Sequence, residues 1–104
     1  MVGCPPPFSG QVQPSQAGVT AIDVELFDAQ TITAQFSGPI SGGSAWVFQV
    51  FTGGAWVQQD GNPGIAAPDT LVFEFPDSTL GGGENWRILS APPGVQVPQS
   101  GVVS

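Results

Sequence analysis

The sequence predicts an all-β protein, an antiparallel two-sheet sandwich of about seven short strands that follows an extended N-terminal arm. Apolar and polar residues alternate with period two in several short runs, which is typical of half-buried strands. Clusters of Gly and Pro separate these runs at spacings of about 8–12 residues, as in small sandwich domains. No long stretch shows the helical apolar spacing i, i+3, i+4, i+7. At 104 residues the chain has the size of one domain.

Residues 1–17 differ from the rest of the chain because they are rich in Pro, Gln and Ser. The triplet Pro5-Pro6-Pro7 favours an extended polyproline conformation without internal hydrogen bonds. Phe8 is the only large apolar side chain of this segment. The segment is predicted to be either a disordered leader or an arm that docks on a neighbouring subunit through Phe8. Residues 18–104 are predicted to form the sandwich domain.

Two strands are predicted directly after residue 18. The first has an apolar side, consisting of Ile22, Val24 and Leu26, and an acidic side, consisting of Asp23 and Glu25. A turn is predicted at residues 27–30. The second strand is the most regular amphipathic run of the chain, and its apolar residues are Ile32, Ala34 and Phe36.

The third predicted strand, residues 45–51, is apolar on both faces. One face consists of Trp46, Phe48 and Val50, and the other of Ala45, Val47, Gln49 and Phe51. Gly53 and Gly54 then predict a tight hairpin, because paired glycines allow the positive φ that such turns require. The returning strand carries Trp56 and Val57, and a loop is predicted at residues 60–64.

Residues 71–91 are predicted to supply most of the core as two strands joined by a glycine-rich corner. The side chains expected to face inward are Leu71, Phe73, Phe75, Trp86 and Ile88. Burial of one large apolar side chain contributes about 1.5–3 kcal/mol, so these five dominate the hydrophobic stabilisation. A last strand is predicted to begin at Val95 and Val97 and to continue towards Val103.

The composition excludes several classes of partner. The chain has 8 acidic residues and one basic residue, which gives a formal net charge of −7. With Arg87 as its only cation, it lacks the several Lys or Arg side chains that bind phosphates. Neither nucleic acid nor an anionic membrane surface is therefore expected as a partner. No apolar run approaches the roughly 20 residues of a membrane-spanning helix.

Catalysis, metals and cofactors are not expected either. The chain has no His, no Lys and a single Cys, so that neither a Ser/His/Asp nor a Cys/His arrangement is possible. The same composition excludes a zinc site within one chain. The oxygen ligands that calcium needs are spread over different loops, at Asp60, Asn62, Asp69, Asp77 and Glu84. The triplet Gly81-Gly82-Gly83 is not followed by Gly-Lys-Ser/Thr and so is no phosphate loop.

The order of these features resembles a fibronectin type III domain, or a related immunoglobulin-like domain, over about residues 19–103. Phe36 precedes Ser37-Gly38-Pro39, just as the core tryptophan of the family's second strand precedes a proline. Residues 46–56 match the family's third strand, the hairpin after it and the tryptophan that follows. Residues 71–75 and 86–91 match its fifth and sixth strands. The chain departs from the family in having Phe36 for that tryptophan and Trp86 where a tyrosine is usual. The resemblance implies a sandwich in which the third and sixth strands are paired.

In that topology the two paired strands present a partly apolar outer surface. Its predicted residues are Val47, Gln49, Phe51, Arg87 and Leu89. Contiguous exposed apolar patches mark protein contacts, and the sole cation beside them suggests a salt bridge to a carboxylate of a partner. The alternative is that a bulge turns one of these residues inward.

A small, acidic sandwich with a Pro-rich arm and no catalytic residues is similar to the accessory proteins of tailed-phage virions. The resemblance implies a non-enzymatic capsid decoration (cement) or tail protein on the virion surface. Its expected partners are the major capsid protein or another virion protein and further copies of itself, with a trimer favoured. One alternative is a carbohydrate- or receptor-binding adhesion module in which Trp56 stacks on a sugar. Another is an extracellular lipoprotein domain anchored through Cys4, since the pair Gly3-Cys4 is similar to a lipoprotein cleavage site.

Overall fold

A computed structural model describes residues 18–104 and shows an all-β protein with two antiparallel four-stranded sheets. The predicted arm, with Phe8 and Cys4, lies outside the described residues. The described part has eight strands, one more than the sequence predicted. They are β1 (Ala21–Asp28), β2 (Thr31–Phe36), β3 (Val47–Thr52), β4 (Ala55–Gln58), β5 (Gly64–Ala67), β6 (Thr70–Glu74), β7 (Asn85–Ser90) and β8 (Gln99–Val102). Among residues 18–104, no helix has the length and hydropathy needed to cross a membrane.

The first sheet has the strand order β1-β2-β6-β5, and the second has the order β4-β3-β7-β8. All strand pairs in both sheets are antiparallel. The inward faces of the two sheets share one hydrophobic cluster. This arrangement is compatible with the predicted β-sandwich.

Aromatic side chains from the two sheets meet in the centre of the core. Phe48 on β3 stacks on Phe73 on β6, with ring centroids 4.3 Å apart. Trp46 contacts Phe36 at 5.3 Å and Phe73 at 5.9 Å, and its indole N–H donates a hydrogen bond to the Ser41 carbonyl at 2.7 Å. Each such aromatic pair contributes about 0.5–1.5 kcal/mol beyond its buried area. The five residues predicted as the centre of the core, listed above, are all buried.

Backbone hydrogen bonds also join the two sheets along one side of the molecule. Val19 forms an isolated parallel bridge with Val95, in which the Val19 N–H donates to the Gly94 carbonyl at 2.8 Å. Further along, the Ser104 N–H donates to the Val24 carbonyl at 2.9 Å. Strand β1 is therefore tied to the C-terminal segment, and β4 and β5 are the outermost strands on the opposite side.

Two predicted features of the strands are wrong, and one strand was not predicted. Ile22 is 60% exposed, because a register shift between β1 and β2 places an extra residue there and turns its side chain outward. The last strand begins at Gln99 and not at Val95, since Pro98 has no N–H with which to continue a ladder. Strand β5 was not predicted, because Gly64–Ala67 has only small side chains besides Ile65 and no alternation.

Candidate functional site

The outer face of the second sheet collects most of the residues that the sequence singled out. In register, Phe51 lies opposite Trp56, and Gln49 lies between Gln58 and Arg87. Because side chains alternate along strands, these residues point away from a core that takes Phe48, Val50, Trp86 and Ile88. Strand β8 adds Ser100 opposite Arg87 and Val102 opposite Asn85. We refer to the outward side chains of β3, β4, β7 and β8 as the outer face.

Charge is divided unequally between the two sheets. The strands of the first sheet contain four acidic residues, namely Asp23, Glu25, Asp28 and Glu74. The strands of the second sheet contain none, and they hold Arg87, the only Lys or Arg of the protein. In a chain of net charge −7, the outer face is therefore the surface that repels an approaching anion least.

Arg87 on β7 is held in place by two side chains, Gln49 on the adjacent strand β3 and Trp56 on β4, the strand beyond it. Its Nε–H donates a hydrogen bond to Oε1 of Gln49 at 2.8 Å. Its guanidinium carbon lies 4.0 Å from the centre of the Trp56 ring, a cation–π contact. Such contacts contribute about 0.5–1 kcal/mol at exposed sites. The guanidinium thus lies over the Trp56 ring and beside Gln49, and both of its partners are neutral.

Two exposed aromatic side chains stand beside this cation. Phe51 is 41% exposed and Trp56 is 37% exposed, and their rings meet edge to face with centroids 5.3 Å apart. A shallow depression of about 330 Å³ adjoins Trp56, lined also by Asn85, Ser100 and Val102. The hairpin that brings Phe51 and Trp56 together turns at Gly53 and Gly54, whose φ angles of 61° and 82° are the positive values predicted there. The outer face therefore has an aromatic end with a recess beside it.

Val47 and Leu89 lie at the other end of the outer face. Leu89 is 45% exposed, whereas Val47 is half-buried. The register between β3 and β7 shifts at Val47, so that Leu89 has no residue directly opposite, as at a β-bulge. Val47 and Phe51 are four residues apart on one strand, which corresponds to about 13 Å. The polar pair Gln49–Arg87 separates the two apolar ends, so the predicted surface is an apolar, polar and apolar series and not one continuous patch.

Trp56, the residue suggested for sugar stacking, has one of its ring faces covered. The Arg87 guanidinium occupies that face. A sugar ring would have to stack on the opposite face, at the edge of the recess.

The paired carboxylates on β1 lie far from this surface, on the first sheet. The hydrogen bond and the negative charge of Asp23 raise the pKa of Glu25 above its ordinary value. In the turn between β5 and β6, hydrogen bonds from Thr70 and Gln35 lower the pKa of Asp69 below its ordinary value. Glu25 is exposed and Asp69 is half-buried, and each has a neighbour that accounts for the shift of its pKa. Within residues 18–104 no three His, Cys, Asp or Glu side chains cluster as metal ligands.

One structural residue of the site was missed from the sequence. Gln59 is buried directly after β4, and its side-chain amide extends the ladder of β3. Its Oε1 accepts the Phe48 N–H at 2.9 Å, and its Nε2 donates to the Trp46 carbonyl at 2.7 Å. The Gln-Gln pair at residues 58–59 gave no sequence signal, because either residue can face solvent. Gln59 fixes the strand that presents Gln49 and Phe51.

Comparisons with protein families, with curated proteins and with solved structures gave no match.

Proposed function

We propose that this protein is a non-enzymatic structural component of a virion, a decoration (cement) or tail accessory protein. It binds a capsid or tail protein through the outer face and braces neighbouring subunits. The observation that carries the proposal is the exposed aromatic pair Phe51–Trp56 beside the only cation, on a sheet whose strands have no acidic residue. Exposed aromatic and Arg side chains are enriched at protein interfaces, whereas Glu and Asp are depleted.

The proposal includes an immunoglobulin-like or fibronectin type III-like topology. The strand orders β1-β2-β6-β5 and β4-β3-β7-β8 support it. They correspond to A-B-E-D and C′-C-F-G, the first of which is the A-B-E-D sheet of immunoglobulin domains. Buried Trp46, directly before β3, occupies a position like that of the tryptophan on strand C. Sandwich domains of this type host many functions, so the topology supports a scaffold and the outer face supports the role.

The virion assignment is supported by composition. A single small domain with a net charge of −7 and no His or Lys is suited to a surface protein that binds other proteins. Copies of the chain are proposed to associate with one another on the particle, with a trimer favoured. The proposed location is the surface of the extracellular particle.

The experiment is binding of the labelled full chain to purified virions from the source of its gene. Mass spectrometry should find the chain among the particle proteins, and the recombinant protein should cosediment with particles that lack it. Phe51→Ser should lower this binding about tenfold or more, since truncation of an aromatic hot-spot residue at an interface costs about 2 kcal/mol or more. The matched control is Phe27→Ser, because Phe27 is 74% exposed but lies on the other sheet. Absence of the chain from particles, together with no binding, would refute the assignment.

A second candidate function is carbohydrate binding, favoured by the recess beside Trp56 and its polar residues Asn85 and Ser100. Binding to a glycan array that is lost in Trp56→Ala and retained in Phe27→Ser would support it in place of the virion role.

A further inference from the structure

The surroundings of Arg87 indicate what part of a partner this surface recognises. A guanidinium has five N–H donors in a planar fork, and one of them, on Nε, is bound by Gln49. The guanidinium carbon lies over the Trp56 ring, 4.0 Å from its centre. The terminal nitrogen atoms make no hydrogen bond within residues 18–104, so no group in this part of the chain already occupies that end of the fork. Arg87 is therefore oriented before any partner arrives, which reduces the conformational entropy lost on binding.

The charges around Arg87 indicate the sign and the magnitude of the charge that a ligand can carry. Strands β3, β4, β7 and β8 provide no carboxylate that competes for the guanidinium. The rest of the protein is strongly acidic and repels anions in general, and repels a dianion such as phosphate more than a single carboxylate. A planar carboxylate also matches the guanidinium fork with two parallel hydrogen bonds. Charge and shape together favour one carboxylate at this point.

We propose that Arg87 is a preorganised carboxylate-binding residue that anchors a segment of the protein partner through one carboxylate, with the neighbouring apolar part of that segment against Phe51 and Trp56. This inference rests on the proposed function, since it specifies the chemistry of the partner at the same surface. A protein segment fits better than an acidic sugar because Arg87 itself covers one face of the Trp56 ring. The exposed side chains of Phe51 and Leu89 also offer contacts on both sides of the charge.

The direct test uses the full chain and a small probe in place of the partner. The probe is N-acetyl-glutamate N-methylamide, and its neutral control is N-acetyl-glutamine N-methylamide, both at constant ionic strength. Because the chain has one Arg and three Trp, its ¹⁵N NMR spectrum contains one arginine Nε–H signal and three indole signals. The acid should shift the Arg87 Nε–H and Trp56 indole signals with saturation. The signal of Trp46, whose indole is bonded to Ser41, should stay unchanged.

Variants separate a binding site from a general charge effect. Arg87→Lys keeps the charge but loses the fork, and should abolish the saturable shift of Trp56. Gln49→Ala keeps Arg87 but releases its Nε–H, and should weaken probe binding. Equal shifts with the neutral control, no saturation, or binding unchanged in Arg87→Lys would overturn the inference. A response to glucuronate but not to the glutamate derivative would overturn the choice of a protein segment.

Binding to particles distinguishes failure of this inference from failure of the proposed function. Arg87→Gln should weaken binding about 10- to 100-fold, the range expected for loss of a hydrogen-bonded charged group. If Phe51→Ser abolishes binding while Arg87→Gln does not change it, the outer face is an interface but the carboxylate anchor is refuted. If neither substitution has an effect, both proposals fail. If the chain self-associates in sedimentation experiments and Arg87→Gln removes this self-association, the carboxylate belongs to a second copy of the chain. That result would overturn the proposal that it belongs to a different protein.

Discussion

Replacement of Gln59 by Leu tests how the outer face is held in position. The buried amide accepts from the Phe48 N–H and donates to the Trp46 carbonyl, so Leu of similar size would leave two buried backbone groups without partners. Each unsatisfied group costs about 1–3 kcal/mol, and a buried Leu recovers part of this through its apolar surface. The expected loss is about 2–4 kcal/mol from a total that is typically about 5–15 kcal/mol.

The assay is equilibrium urea unfolding followed by tryptophan fluorescence, with thermal unfolding as a second measurement. For a domain of this size, the expected loss corresponds to a decrease in Tm of about 10–25 °C. Gln58→Leu is the matched control, since Gln58 is the exposed neighbour on β4 and should change stability by less than about 0.5 kcal/mol. Equal stability of the two variants would refute the argument that the Gln59 amide completes the β3 ladder.

The remaining predictions concern the core and two carboxylates of the first sheet. Gly101→Ala should destabilise the fold by about 1–3 kcal/mol in urea unfolding, because a methyl group there would lie 2.8 Å from the buried ring of Trp86; a change below 0.5 kcal/mol would contradict this contact. Asp69→Asn should destabilise the protein at neutral pH, where the folded state gains from a lowered carboxyl pKa. The difference from wild type should shrink progressively as the pH falls below the ordinary carboxyl pKa of about 4, and should vanish only below the lowered pKa of the folded state. Glu25→Gln should have the opposite effect on stability, because a raised pKa means that the charged form of Glu25 is disfavoured in the folded state. The variant should be slightly more stable than wild type at neutral pH, and this gain should vanish in acid. Thermal unfolding from pH 3 to pH 7 measures both, and parallel pH profiles for the variants and wild type would contradict these assignments.

The sequence predicted the inward residues well wherever strict alternation and large side chains coincide. Phe36, Phe48 and Phe73 are buried as expected, because a large apolar group on an alternating strand has one favourable side. Ile22 is apolar too, but the β-bulge at the start of β1 reverses its side. Such a register shift depends on the partner strand, so the local alternation of apolar and polar residues does not predict it.

The outer face was predicted in part. The outward positions of Phe51 and Leu89 follow from alternation alone, and both side chains are exposed. The contact of Arg87 with Trp56 could not be predicted, because strand β3 lies between the strands that carry these two residues. The contact depends on the Arg87 side chain extending across β3, and the sequence does not indicate that side-chain conformation. The role of Gln59 was hidden for a similar reason, since its burial depends on where β4 ends.

The most direct test of the central proposal is hydroxyl-radical footprinting of the chain, free and on the particle, read by mass spectrometry. Phe51 and Trp56 on the outer face and Phe27 on the opposite sheet are all exposed in the free chain and should all be oxidised. On the particle, we expect Phe51 and Trp56 to become protected while Phe27 is oxidised as before. Protection of Phe27 with continued oxidation of Phe51 and Trp56 would show that the protein binds through its other sheet and would contradict the proposal.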